Sequence, residues 1–260
     1  MVKNPFDLSG KVSLVTGGAG GIGLGIAEAL GRAGSALVLW DLHASRLADA
    51  ASHLEAVGID VLTSVVDVTT EVAVAEAMQA ALARFFRIDV AVAAAGVLGE
   101  AAPFIDTTLA GWRRVHAVNS EGVFLTLREV SRHMVGRAKQ DDPGGVLIGV
   151  ASLAAIDGAP RGEAYSASKG GVVALMRSLA VELARYGIRA NSISPGWIAT
   201  EMTTALQSNP AVAERVVSRI PMRRWGAPAD LGALAVYLAC DASAYHTADS
   251  FVVDGGYVAF

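Results

Sequence analysis

Tyr165 and Lys169 stand four residues apart in the stretch YSASK, among the small residues Ala164, Ser166, Ala167, Gly170 and Gly171. Downstream, Val172, Val173, Leu175, Met176, Leu179, Val181 and Leu183 recur at helical spacing. The spacing of four therefore predicts one helix face and a separation of about one turn. A free phenol has a pKa of about 10, too high for an efficient base at neutral pH. A neighbouring ammonium favours phenolate and lowers that value, each unit corresponding to roughly 1.4 kcal/mol. Such a tyrosine can exchange a proton with a carbinol, a step typically contributing about 10²–10⁴ in rate. The small neighbours would let a cofactor and a substrate reach the pair. Ser152 ends a predicted strand thirteen residues earlier, and ligands bind at such strand ends in open α/β sheets. Its hydroxyl can hold the substrate oxygen beside the phenol. On its own, a Tyr-x-x-x-Lys spacing is common, so its surroundings decide what it means.

A second cluster, TGGAGGIG (16–23), follows a predicted strand and opens an apolar helix. Glycines there let the backbone approach a pyrophosphate, whose charge is favoured by the helix N-terminus. Gly18, Gly20 and Gly23 satisfy G-x-G-x-x-G, while Thr16, Gly17, Gly21 and Gly23 satisfy the narrower T-G-x-x-x-G-x-G. The next predicted strand ends at Asp41, eighteen residues beyond Gly23. An acidic residue in that position can accept hydrogen bonds from both ribose hydroxyls and would repel a 2′-phosphate. No Arg or Lys adjoins Asp41 in the sequence, and Gly20 supplies no positive charge to the turn. The cofactor expected is NAD rather than NADP. The plainer role for Asp41 is a cap on the following helix.

The elements that must position these residues alternate along the whole chain. Apolar runs at 12–16, 36–40, 61–66, 90–95, 146–152, 188–194 and 250–256 read as buried strands, and amphipathic stretches between the first six read as crossover helices. Strands apolar on both faces imply a parallel sheet covered on both sides. The expectation is an α/β fold: one doubly wound domain over residues 1–260, with about seven strands and helices on both faces. Residues 138–145 read as a polar loop. Residues 197–228 form a long mixed insertion of the kind from which substrate lids are drawn.

Composition narrows the classes. Of the 260 residues 53% are hydrophobic and 18% charged, and the net charge is -4. With no basic block, nucleic-acid binding has little support. One cysteine, Cys240, rules out an intrachain disulfide and fits a reducing compartment. Five scattered histidines give no metal-ligand spacing. No secretory signal or bilayer span is evident, since GGVVALMRSLAVELA is interrupted by Arg177 and Glu182. The chain reads as soluble and cytoplasmic.

Taken together, TGGAGGIG, the acidic end of the second strand, DVT (67–69), VNSEGVF with Asn119, Ser152, YSASK and SPGWIATEM (194–202) closely resemble the short-chain dehydrogenase/reductase family across essentially the whole chain. The resemblance implies a Rossmann-type fold and hydride transfer between nicotinamide and a secondary alcohol or its ketone. Tyr165 would be the general acid/base and Ser152 would hydrogen-bond the substrate oxygen. Lys169 would lower the tyrosine pKa and bind nicotinamide-ribose hydroxyls, and Asn119 would support a water linking Lys169 to solvent. Asp67 and Val68 would contact adenine, Gly96 would border the ribose, and Ile198 and Thr200 would hold the nicotinamide carboxamide. Gly17, Gly21, Ile22, Gly23, Leu42, Ala95, Pro195 and Gly196 complete the expected cofactor contacts. Two positions depart from the family pattern. Ala93 stands where an asparagine usually ties neighbouring strands, and Ala248 replaces a usual glycine before the last strand.

Substrate identity is less legible. Candidate pocket residues are Ala154, Ala155, Gly158, Arg161, Glu163, Trp197, Met202 and Leu206. Arg161 and Glu163 suit a polyol, sugar or carboxylated ketone, whereas Trp197 and Met202 suit an apolar ring. A 3-oxoacyl-carrier-protein reductase is a competing reading, with Arg219, Arg223 and Arg224 as a docking patch. A non-catalytic NAD-binding or sensing protein is another, weakened by the presence of Asn119, Ser152, Tyr165 and Lys169 together. The helix from about 165 to 185 is apolar on more than one face, as expected for packing against a second subunit. The resemblance implies a homotetramer.

Overall fold

Seven strands pair into one parallel sheet in the computed structural model, which describes residues 4–259; the edge runs expected to be buried, at 61–66 and 250–256, are only partly covered. The strands are β1 (Val12–Thr16), β2 (Ala36–Asp41), β3 (Val61–Val65), β4 (Val90–Ala93), β5 (Gly145–Val150), β6 (Ile188–Pro195) and β7 (Ser250–Val253). Their order is β3-β2-β1-β4-β5-β6-β7. Sequence order reverses between β1 and β4, where Thr16 pairs with Ala93. A crevice opens outside the carboxyl ends at such a switch point, and ligands bind there.

Parallel strands need crossovers, and helices supply them on both faces. One face is packed by α1 (Gly21–Arg32), α2 (Ala44–Ala56) and, later in the chain, a helix at Ala229–Ala239; its core includes Ile26, Leu30, Leu47 and Leu231. The other is packed by α3 (Glu71–Phe85), α5 (Val123–Ala138) and α6 (Glu163–Leu183), with Val74, Leu127, Met134 and Met176 in its core. Between α3 and α5 lies α4 (Leu109–His116), and a π-helical turn over Ala117–Gly122 joins α4 to α5. The segment after β6 folds as a short 3₁₀ turn (Glu201–Thr203), α7 (Thr204–Gln207) and α8 (Pro210–Arg219), and the helix at Ala229–Ala239 is α9. Segment 197–228 is pinned at its base, where Ala199 N donates to Gly226 O and Gly226 N to Trp197 O at 2.8 and 2.9 Å. No helix among the described residues is long and apolar enough to cross a membrane.

Several expected strand ends shift for identifiable reasons. β4 stops at Ala93 rather than 95, because the N–H groups of Ala94 and Ala95 both turn to Thr16 Oγ1 at 3.1 Å. That hydroxyl ties β1 to β4 where the family's asparagine is missing, so Ala93 sits in the core without leaving the junction untied. The fifth strand ends at Val150, and Ser152 instead caps a 3₁₀ turn by accepting from Ala154 N at 3.1 Å. β7 ends at Val253, before Gly255 and Gly256 take left-handed backbone angles of 65° and 92°.

Candidate active site

The glycine turn is built for close backbone approach. Gly17 has φ of 63°, and a β-carbon there would lie 3.0 Å from Ala95 Cα. One on Gly23 would collide with the Gly17 carbonyl, so only glycine lets α1 start this close to β1. Gly17, Gly21, Ile22 and Gly23 thus form a cradle at the carboxyl end of β1, beside Ala95 and Gly96 after β4. Asp41 ends β2 and faces this turn: its Oδ2 accepts from Ala19 N at 3.2 Å and its Oδ1 from His43 N at 3.1 Å. These features fit the adenosine and pyrophosphate portion of a dinucleotide. Leu42 is 59% exposed beside Asp41. Asp67 turns its Oδ1 to Thr69 N and Oγ1, starting the turn into α3, while Val68 is buried beneath Gly122.

α6 carries both Tyr165 and Lys169, as their spacing predicts. Lys169 is 3% exposed, and its Nζ donates to Val150 O at 2.7 Å. Burial lowers its pKa to about 8. Nζ lies 5.8 Å from the centroid of the Tyr165 ring. Burial pushes the Tyr165 phenol above its ordinary value, and a hydrogen bond with Ser152 offsets part of that rise. The expected lowering of the phenol is therefore not seen: desolvation outweighs the Ser152 hydrogen bond, while Lys169 Nζ donates to the Val150 carbonyl.

Asn119 reaches the site from the π-helical turn, a distortion frequent at functional positions. It is fully buried; Nδ2 donates to Val97 O and Ser168 Oγ at 2.9 and 3.1 Å, and Oδ1 accepts from Val97 N at 2.8 Å. Ser168 Oγ in turn donates to Tyr165 O. A β-carbon on Gly96 would lie 3.2 Å from Asn119 Oδ1 and 3.3 Å from Lys169 Nζ, so the two polar ends converge on that glycine. Neither Val97 nor Ser168 was legible as a partner, because both contacts are long-range.

Beyond β6, Gly196 N donates to Val253 O at 2.9 Å, which fixes the chain leaving Pro195. Ile198 is buried and its carbonyl accepts from Thr203 Oγ1, while Thr200 lies against Gly21, whose β-carbon position is 3.4 Å from Thr200 Cγ2. Segment 197–228 thus begins directly over the glycine turn. Of the substrate candidates, Ala154 and Ala155 follow Ser152 in its 3₁₀ turn, with exposed Gly158 beyond. Arg161 and Glu163 share a small polar cleft with Glu100 and Thr108, and Arg161 adopts φ of 66°. Trp197 packs edge-on against Trp225 and Tyr257, whereas Met202 is exposed and Leu206 half-buried. The three arginines of the candidate docking patch are engaged: Arg224 with Asp230 at 2.6 Å, Arg219 over the Tyr257 ring, and Arg223 on the Ser218 carbonyl.

One expectation needs a spatial correction. Although no cation neighbours Asp41 in sequence, Arg46 on the first turn of α2 reaches the glycine turn: a side chain on Gly20 would run into its guanidinium. Among the described residues, no group of three or more His, Cys, Asp or Glu stands close enough to hold a metal ion.

Residues 17–258 match the family model described as enoyl-(acyl carrier protein) reductase. The chain is 37% identical over 251 residues to a 5-keto-D-gluconate 5-reductase of Escherichia coli, covering 96% of each chain. It is 37% identical to an L-tagatose-forming galactitol 2-dehydrogenase of Cereibacter sphaeroides, covering 97% of this chain and 96% of that one. A solved gluconate 5-dehydrogenase from Burkholderia cenocepacia, in complex with NADP and tartrate, superposes with a TM-score of 0.92 at 33% identity, covering 98% of each chain.

Proposed function

This chain belongs to the short-chain dehydrogenase/reductase family, and from that premise we propose that it interconverts a secondary alcohol of a polyol or sugar acid and the matching ketone with NAD(H). The observation that carries the reading is the placement of Tyr165 one turn before buried Lys169 on α6, with Lys169 Nζ on the carbonyl of Val150 at the end of β5, Ser152 two residues beyond, and the glycine cradle after β1. Nicotinamide, when bound, supplies the hydride acceptor or donor. The chain's own residues handle the proton and the orientation. Ser152 holds the substrate oxygen next to the phenol, and Tyr165 gives or takes the proton on that oxygen. Lys169 brings positive charge to the same pocket, opposing the burial that holds the phenol neutral. Asn119 fixes α6 against the turn after β4 through Ser168 and Val97, and a water on it would connect Lys169 to solvent. Gly17, Gly21, Ile22, Gly23, Ala95, Gly96 and Thr200 line the cofactor side. Asp41 favours ribose hydroxyls over a 2′-phosphate, and so NAD over NADP.

The polyol and sugar-acid class rests on the names of the relatives and on Arg161, whose guanidinium suits a carboxylate. Segment 197–228 serves as the substrate lid. The decisive experiment follows NADH and NADPH formation over polyols, sugar acids, cyclic alcohols and 3-hydroxyacyl thioesters, with Tyr165→Phe beside wild type. Turnover of a polyol or sugar acid with NAD, reduced at least about 10²-fold in Tyr165→Phe with NADH binding retained, is the expected result. Turnover confined to the thioesters would instead favour the acyl-carrier reductase.

The same reading includes assembly as a homotetramer in the cytoplasm. An apolar groove of about 300 Å³ between α5 and α6, lined by Phe124, Leu127, Val135, Leu175 and Leu179, supports a subunit contact there. Buried, unpaired Cys240 fits a reducing compartment. Light scattering at micromolar concentration should give four times the chain mass; the single-chain mass would refute the assembly.

A further inference from the structure

Three side chains meet the glycine turn at successive residues. The Asp41 carboxylate accepts from Ala19 N. Arg46 fills the space a side chain on Gly20 would take, with its Cζ 3.2 Å from that β-carbon position. Thr200 lies against Gly21, and the residue after it, Glu201, pairs through Oε2 with Arg46 NH1 at 2.8 Å. The ion pair therefore spans from α2 to the first turn of segment 197–228, across the turn that would cradle a dinucleotide.

We propose that Glu201, through this pair, helps set the choice between NAD and NADP. Arg46 is placed to bind a phosphate monoester on the adenosine ribose, and Glu201 keeps its guanidinium from that role. The inference rests on the NAD preference proposed from Asp41. A guanidinium fork suits a phosphate well, and a phosphate monoester carries about -1.5 to -2 charge at pH 7. With Asp41, Arg46 and Glu201 all charged, the turn presents a net negative charge to that group. Removing Glu201 makes the trio neutral, whereas removing Arg46 makes it more negative. Glu201 is 75% exposed and Arg46 36%. An ion pair that open holds its partners weakly, so its exchange for a phosphate is feasible and its loss leaves the fold intact.

The test uses the two adenosine halves of the cofactors, which differ only in the 2′-phosphate. Dissociation constants of 5′-AMP and 2′,5′-ADP are measured by calorimetry for wild type, Glu201→Gln, Arg46→Gln and the double variant. Glu201→Gln should tighten 2′,5′-ADP about tenfold while 5′-AMP stays within about twofold, and the gain should vanish in the double variant. An unchanged ratio in Glu201→Gln would overturn the inference, as would a gain that survives loss of Arg46. The NAD reading is judged separately, by the wild type alone. If wild type binds 2′,5′-ADP more tightly than 5′-AMP, the Asp41 argument fails, while the Glu201→Gln ratio still decides the role of Glu201.

Discussion

The sheet buries a charge at each end, and the two charges are treated differently. At the amino end, Asp89 precedes β4 at 5% exposure and is paired throughout: Val12 N donates to it at 3.0 Å, Arg87 grips both oxygens, and Arg137 NH1 stands 3.2 Å away. Burial raises the Asp89 carboxyl, but the Arg87 bond, the Val12 N–H and the two guanidinium charges outweigh it and hold the carboxyl below its ordinary value. At the carboxyl end, Lys169 is at least as buried, and the one hydrogen bond it donates goes to a neutral carbonyl. Among the described residues no ion pair forms with it, and burial lowers its pKa to about 8. A buried charge satisfied on every side ties strands together; one left without a counter-ion costs stability and is kept where chemistry uses it.

The largest effects should separate the two ends cleanly. Lys169→Met removes the uncompensated ammonium, so turnover should fall by about 10² or more while the unfolding free energy holds steady or rises. Asp89→Ala takes the acceptor from Val12 N and the carboxylate from Arg87, leaving Arg137 only Asp142 and the Gly144 carbonyl, and should cost about 3 kcal/mol of stability, with kcat/KM unchanged below the melting transition. Denaturant unfolding and steady-state rates on both variants check this. A loss of stability in Lys169→Met as large as that in Asp89→Ala would break the comparison.

The two ends should also respond to pH in opposite ranges. Below about pH 8 both folded and unfolded chains keep the Lys169 proton, and the burial cost is fully present. Between about 8 and the ordinary lysine value the folded chain has released that proton and the unfolded chain has not. Wild-type stability should therefore rise relative to Lys169→Met over that window, by up to about 3 kcal/mol. For Asp89 the sign is the same and the range is acid: its contribution is present above the ordinary carboxylate value and is lost as pH falls through its lowered folded value. Urea titrations of wild type against each variant, at acid and alkaline pH, would show both windows.

What could be read from the sequence follows the range of each contact. The Tyr165–Lys169 face, the glycine cradle and the alternation of apolar runs with helical stretches that gives the sheet are local patterns, and each appears where expected. Contacts between distant segments were not legible. Thr16 stands in for the missing asparagine near Ala93 only because β1 and β4 are neighbours across the switch point. Asn119 meets Val97 and Ser168 because α4 and α5 are joined by a π-helical turn. Arg46 reaches Gly20 because α2 starts alongside the glycine turn; its place five residues after Asp41 was the one available hint. The pKa shift of Tyr165 ran against expectation because desolvation depends on packing that spacing does not reveal.

The smallest effect belongs to the amino end, where strain bears on stability alone. Ala248 holds φ of 69° while its N–H donates to Ala190 O at 2.8 Å, guiding the chain into β7. An L-residue in the left-handed region costs about 1–2 kcal/mol, which explains why glycine is usual here. Replacing it does not recover all of that, because glycine also gives the unfolded chain about 0.4–1 kcal/mol of extra freedom. Ala248→Gly should therefore stabilise the protein by roughly 0.5 kcal/mol, read as a small upward shift of the denaturant midpoint. Turnover should stay the same, since Ala248 enters β7 at the amino end of the strands, whereas Tyr165 stands at their carboxyl end. A change in turnover would mean that the entry to β7 is coupled to Pro195 and Gly196 along the β6–β7 ladder, and the division between a stabilising and a reactive end would have to be redrawn.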